Sequence, residues 1–216
     1  MRRSPLSIAI GLALLATATV QAQTAQTYVG GGLGMGSISV ECEGLNRCDK
    51  SSTGGKFHLG HRAANQWAFE LTYLDWGKVR AQSTEIVSPP ASGQAVALGA
   101  GPVTVTVDGE LRASGFGVGV AYFMPLATDW NAVLRLGVMR PEGKITGTGS
   151  AQGITLSESA SKRSTQAYFG LGVGYNLTPA LALTGEADFS RVKYGLEGEY
   201  ETDPVRLISV GLRYSF

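Results

Sequence analysis

The chain closes on Ser209-Val210-Gly211-Leu212-Arg213-Tyr214-Ser215-Phe216. Counting back from the end, Phe216, Tyr214, Leu212, Val210 and Ile208 share one side of an extended strand. Ser215, Arg213, Gly211 and Ser209 share the other. A strand that is oily on one face, small or charged on the other, and stops on an aromatic suits a wall between lipid and an enclosed lumen. A soluble sheet turns its apolar face to a core instead. One alternating strand is weak evidence, because any half-buried sheet alternates. The pattern has to recur, and it does.

Seven further strand candidates precede the last one, over residues 26–40, 54–62, 67–78, 111–124, 130–139, 167–176 and 181–189. In the third, Trp67, Phe69, Leu71 and Tyr73 oppose Ala68, Glu70 and Thr72. In the fourth, Phe116, Val118, Val120 and Tyr122 oppose Gly117, Gly119 and Ala121. In the sixth, Phe169, Leu171, Val173 and Tyr175 oppose Tyr168, Gly170, Gly172 and Gly174. Connections after the even strands are short, as at 63–66 and Thr178-Pro179. Those after the odd strands are long, at 41–53, 79–110, 141–164 and 195–203. Outer-membrane barrels alternate short inner turns with long outer loops in this way. Trp67, Trp130 and Phe216 sit beside short turns or at the end, where an interfacial aromatic belt belongs. In hydrocarbon every backbone N–H and C=O needs a partner, so the strands must close into a ring. The expectation is an all-β, eight-stranded, antiparallel up-and-down transmembrane barrel. Inward glycines at 117, 119, 170, 172 and 174 leave space for water or longer neighbours.

The N-terminus reads as an export signal. Arg2 and Arg3 precede a short apolar run from Leu6 to Ala18, and Val20-Gln21-Ala22 offers a small-x-small cleavage site. Cleavage between Ala22 and Gln23 divides the chain into a signal peptide, 1–22, and a barrel domain, 23–216. The apolar run is shorter than the roughly 20 residues of a helical span. Loss of Arg2 and Arg3 brings the 18 basic groups below the 17 acidic ones, so no general attraction for nucleic acid is expected. The two cysteines, Cys42 and Cys48, form an even pair in an exported chain, which favours a disulfide. The competing reading is a metal pair, which lacks a neighbouring histidine.

Three internal runs and the C-terminal strand resemble the transmembrane domain of OmpA-type outer-membrane proteins. The runs are Trp67-Ala68-Phe69-Glu70-Leu71-Thr72-Tyr73, Arg135-Leu136-Gly137-Val138-Met139 and Gly172-Val173-Gly174-Tyr175-Asn176-Leu177-Thr178-Pro179. The resemblance implies a monomeric barrel of the bacterial outer membrane, surrounded by lipid and lipopolysaccharide, with no cofactor. It implies insertion by the barrel-assembly machinery, with Gly211, Tyr214 and Phe216 carrying the assembly signal. The peptidoglycan-binding domain of longer members is not expected in a chain that stops at Phe216. The family's lumen charge network maps onto Glu70, Arg135 and Glu186. Ala121, Gly174 and Thr184 stand where the family places the Lys, Glu and Arg of its gate, so that switch does not carry over. What is expected is one cation between two carboxylates, because ionisable groups at membrane depth face inward and pair.

Several functions compete. The first is a structural envelope barrel with at most a narrow water-filled path for ions or small solutes. The alternative is a surface-exposed adhesin or partner-binding barrel acting through its outer loops, its ligand unspecified. A wider pore has little cross-section to work with in eight strands. A lipid-modifying enzyme needs a histidine beside a serine and an acid. His58 and His61 lie on one strand, His58 facing inward and His61 outward, so no catalytic role is expected. A secreted ligand-holding barrel would need bulky apolar residues inside. The sequence carries no metal cluster and no phosphate loop.

Overall fold

The computed structural model describes residues 26–39, 42, 45–63, 66–87, 103–151, 154–195 and 200–216. The expected cleavage site at Ala22 and Gln23 lies outside them. Ten strands follow one another: β1 Gln26–Ile38, β2 Arg47–Asp49, β3 Ser51–Arg62, β4 Trp67–Val87, β5 Val103–Pro125, β6 Trp130–Ala151, β7 Ile154–Arg163, β8 Gln166–Asn176, β9 Leu181–Tyr194 and β10 Glu201–Ser215. Eight of them, β1, β3, β4, β5, β6, β8, β9 and β10, pair antiparallel in a closed ring. The two remaining strands extend members of that ring. β7 continues β8 past Ser164 and keeps its register on β6, with Glu142 opposite Arg163 and Met139 opposite Gln166. β2 pairs with β4 above the end of β3. The barrel is therefore eight-stranded. It closes where β1 meets β10, and Phe216 N–H donates to Thr27 O at 2.9 Å.

Tight turns join one end of the barrel. Ala63 N–H donates to Trp67 O (2.8 Å), Leu126 N–H to Trp130 O (2.9 Å) and Leu177 N–H to Leu181 O (2.8 Å). Thr178 Oγ1 accepts from Ala180 and Leu181 N–H, a side chain standing in for a backbone acceptor in the turn. At the other end the strands run on. In the connections expected at 79–110 and 141–164 the described residues are nearly all sheet: β4 reaches Val87 and faces β5 from Val103, and β6 reaches Ala151 and faces β7 from Ile154. Backbone pairing needs no apolar face, so Ser-, Thr- and Gly-rich strands extend the wall without an alternation to announce them.

Side-chain parity follows the sequence. Phe69, Leu33, Val210 and Phe116 lie exposed on the outer wall, while Ala68, Glu70, Thr72 and Arg213 are buried inside. Aromatic rings pair near both edges of the outward apolar band. Trp67–Tyr122 (4.9 Å) and Trp130–Tyr175 (5.1 Å) lie by the short turns, and Tyr73–Phe116 (4.7 Å) and Phe169–Phe189 (6.1 Å) by the long hairpins. Among the described residues, parity breaks at a bulge between Asp75 and Gly77. Gly77 adopts φ 78°, a left-handed conformation that suits glycine. Its N–H bonds Asp75 Oδ1 at 2.8 Å. Leu74 and Trp76 face the lumen before the bulge, and Val79 faces it afterwards. Cys42 forms a disulfide with Cys48 of β2.

Candidate functional site

The lumen is the enclosed chemical environment of the molecule, and each ring strand that enters it carries its inward set by parity alone. Near mid-depth, the inward positions of β3, β4, β6 and β9 bring Lys56, Glu70, Arg135, Glu186 and Asp188 together, all buried. Arg135 Nε lies 2.7 Å from Glu70 Oε2, and its Nη2 lies 3.0 Å from Glu186 Oε1. Lys56 Nζ lies 2.8 Å from Glu186 Oε2, and 2.8 and 3.0 Å from the two oxygens of Asp188. Two tyrosines cap the group. Tyr28 donates to Glu70 Oε1 at 2.6 Å, and Tyr168 donates to Asp188. Two cations and three carboxylates thus form one layer across the barrel, where the sequence reading had one cation and two carboxylates. A layer of this kind holds because each charge, once removed from water, finds an opposite charge and hydrogen bonds.

Lys56 and Asp188 were within reach of sequence reasoning. With Phe57 and Leu59 facing lipid, parity sends Lys56 and His58 inward. Asp188 shares its face with Glu186. The sequence could not show that a lysine on β3 and an aspartate on β9 reach each other across the bore.

Glycine makes the room. A Cβ on Gly60 would run into the Tyr28 phenol, the ring that reaches Glu70. A Cβ on Gly170 would lie 2.7 Å from Asp188 Oδ1 and 3.0 Å from Tyr168 Oη. The space opposite these inward glycines is occupied by longer side chains. His58 is buried next to Gly30, with neither ring nitrogen hydrogen-bonded. His61 points outward and bonds Thr27 Oγ1 at 3.0 Å.

The layers above and below overturn the expectation of a bore lined by small and ionic groups. Toward the short turns, Tyr28, Ala68, Ala121, Phe123 and Val133 form an apolar cluster. Arg62 and Arg213 bracket the Phe123 ring at 5.1 and 4.9 Å. Toward the long hairpins a larger apolar cluster includes Ile38, Leu74, Trp76, Met139, Val192 and Leu207. Trp76 and Leu207 are among its fully buried members. The ionic layer is thus sandwiched between two apolar ones. Each bulky inward residue was visible singly in the sequence. Their meeting at one level depends on strand tilt and stagger, which a linear pattern does not carry.

The other site residues named from sequence lie apart from this layer. Gly211 lies on β10 beside Gly32 of β1, and Tyr214 and Phe216 project outward at the chain end with their rings 6.1 Å apart. Cys42 and Cys48 sit at the long-hairpin end.

The outer membrane protein beta-barrel domain family matches residues 8–216. Among solved structures, neisserial surface protein A (NspA) is 15% identical, over 88% of this chain and 97% of its own, with a TM-score of 0.52. Ail, the attachment invasion locus protein of Yersinia pestis, solved with the heparin analogue sucrose octasulfate, is 16% identical. It covers 90% of this chain and 100% of its own, with a TM-score of 0.51. At these identities the likeness is one of fold. No curated protein matches the chain.

Proposed function

We propose, for a chain that belongs to the outer membrane protein beta-barrel domain family, the role of a non-conducting, non-catalytic envelope barrel that holds an elongated sheet outside the bacterial outer membrane. The observation that carries this reading is the sandwich of apolar, ionic and apolar layers inside the ring. An eight-stranded barrel has an interior just wide enough for side chains to fill. Here bulky ones fill it on both sides of the charges. Ions would have to cross two layers of bulky apolar side chains, which leave no narrow path for ions or small solutes in this reading. Planar-bilayer recording on heat-modifiable, folded protein tests it. Silence is expected, and reproducible unitary steps would overturn it.

A second reading, partner binding at the cell surface, draws on the long hairpins. β4 through β7 run well past the outward apolar band and present rows of Arg, Glu, Gln, Asp, Thr and Ser. Ail, which shares the fold, is an attachment invasion protein; for this chain that suggests a class of role and no ligand. Replacing residues 83–107 with a short turn should leave the barrel folded and abolish cell adhesion if this reading holds. Export by a leader of 22 residues, cleavage before Gln23, residence as a monomer among lipid and lipopolysaccharide, and assembly-machinery recognition of Gly211, Tyr214 and Phe216 complete the proposal.

A further inference from the structure

Along each strand, outward residues change from apolar to polar where the wall leaves hydrocarbon. On β6 the change is from Val138 to Arg140, and on β9 from Phe189 to Arg191. β8 and the link before it run between them and offer Ala167 and Thr165. Val138 is opposite Ala167, and Met139 opposite Gln166, which sets Thr165 beside Arg140. Phe169 is opposite Phe189, which sets Ala167 beside Arg191, and Ser190 Oγ donates to Ala167 O at 2.9 Å. Two exposed arginines therefore flank a saddle of small side chains, two strands apart and offset by two residues along them, a diagonal of about 12 Å, with Lys193 at the level of Arg140.

Several other cations near this boundary are paired with carboxylates, although Arg206 bonds only the Ser37 hydroxyl among the described residues. Arg112 meets Asp75 at 2.7 Å, Arg163 meets Glu142 at 2.8 Å, and Lys78 and Arg80 each meet Glu110 at 3.1 Å. Arg140 and Arg191 have no acidic or hydrogen-bonding partner among the described residues. Lys193, next along β9, adds a third positive charge, its Nζ 5.0 Å from the Tyr200 ring. Directly below lies bare apolar wall, Val138 and the Phe169–Phe189 ring pair.

We propose that this saddle binds the phosphate of a phosphorylated lipid of the outer leaflet, with the acyl chains lying over Val138, Phe169 and Phe189. Guanidinium groups recognise phosphate through paired, charge-assisted hydrogen bonds. Cations left unpaired at the rim of a hydrocarbon layer have their strongest available partner in an anionic headgroup. The apolar wall beneath is what separates a lipid phosphate from a free one. The site rests on the barrel's family and orientation, and is independent of whether the lumen conducts.

The test is retention of lipid A by the purified barrel after detergent exchange, read by native mass spectrometry. The wild-type barrel should keep it. Arg140→Gln combined with Arg191→Gln should lower retention at least about tenfold, the loss expected when two charge-assisted contacts go. Arg112→Gln, which removes a cation already paired with Asp75, should change nothing. Arg140→Lys with Arg191→Lys should retain lipid A at a level between the wild type and the Gln variant, because the charge stays and the planar fork is lost, and each variant should show wild-type heat-modifiable migration. Lipid A stripped of its phosphates should be lost. Equal retention by the Gln double variant, or of dephosphorylated lipid A, overturns the proposal. So does displacement of bound lipid A by inorganic phosphate in millimolar excess, which would mark a bare anion site.

Discussion

Lys56 on β3 reaches across the bore to Asp188 on β9, its Nζ within 3.0 Å of both carboxylate oxygens, although β1 and β10 lie between those strands in the ring. A buried pair of this kind adds little if both partners are replaced by well-packed apolar groups, and much is lost if only one goes. Lys56→Met should therefore destabilise the barrel by about 3–5 kcal/mol, since it strands Asp188 and half of Glu186. Adding Asp188→Asn should restore part of the loss. Urea unfolding in lipid vesicles measures both, and equal midpoints for wild type and Lys56→Met would remove the pair from the list of stabilising contacts.

Arg135 bridges Glu70 and Glu186 and is fully buried. Arg135→Ala leaves Glu70 with only the Tyr28 hydroxyl and Glu186 with only Lys56. A loss of about 3 kcal/mol is expected. Arg135→Lys should fall between, because an ammonium cannot hold two carboxylates with a planar fork. An unchanged urea midpoint for the alanine variant would count against the network.

Gly60 permits the approach of Tyr28 to Glu70. Gly60→Val should overpack that point and lower stability by about 1–3 kcal/mol. If the clash is with the phenol, Tyr28→Ala in the same chain should recover folding yield on a heat-modifiability gel. Failure to recover would locate the fault elsewhere.

Outside the apolar band, Glu110 feels slight desolvation, which would raise its pKa. Hydrogen bonds from Lys78 and Arg80 outweigh this and hold the carboxyl below its ordinary range. A depressed carboxylate stabilises fully above its unfolded pKa, about 4.3, and loses that contribution as pH falls through the folded value. The group is exposed, so the effect is small and local. Amide exchange in the β4–β5 hairpin, corrected for intrinsic rates, should rise on acidification in the wild type. In Glu110→Gln the rise should be absent.

The division between what was legible in the chain and what was not follows the range of each interaction. Strand count, the inward and outward faces, and the aromatic edges depend on neighbours two residues apart, so Phe69 against Glu70 or Leu212 against Arg213 reveals them directly. Extension of β4 to Val87 was only half visible, because a polar strand pairs its backbone without an apolar stripe. The bulge at Asp75–Gly77 reverses parity in a way no alternation rule anticipates.

The sequence by itself determined that this chain is a barrel wall and, away from the bulge at Asp75–Gly77, which side of that wall the strand residues face. Only the tertiary structure decided what meets inside beyond the expected contact of Arg135 with two glutamates: Lys56 with Asp188, and Trp76 with Leu207 in an apolar layer above them. Parity is a property of the extended backbone and acts over two residues. Encounters across the lumen are set by the tilt and stagger of eight closed strands, which bring together residues more than a hundred positions apart.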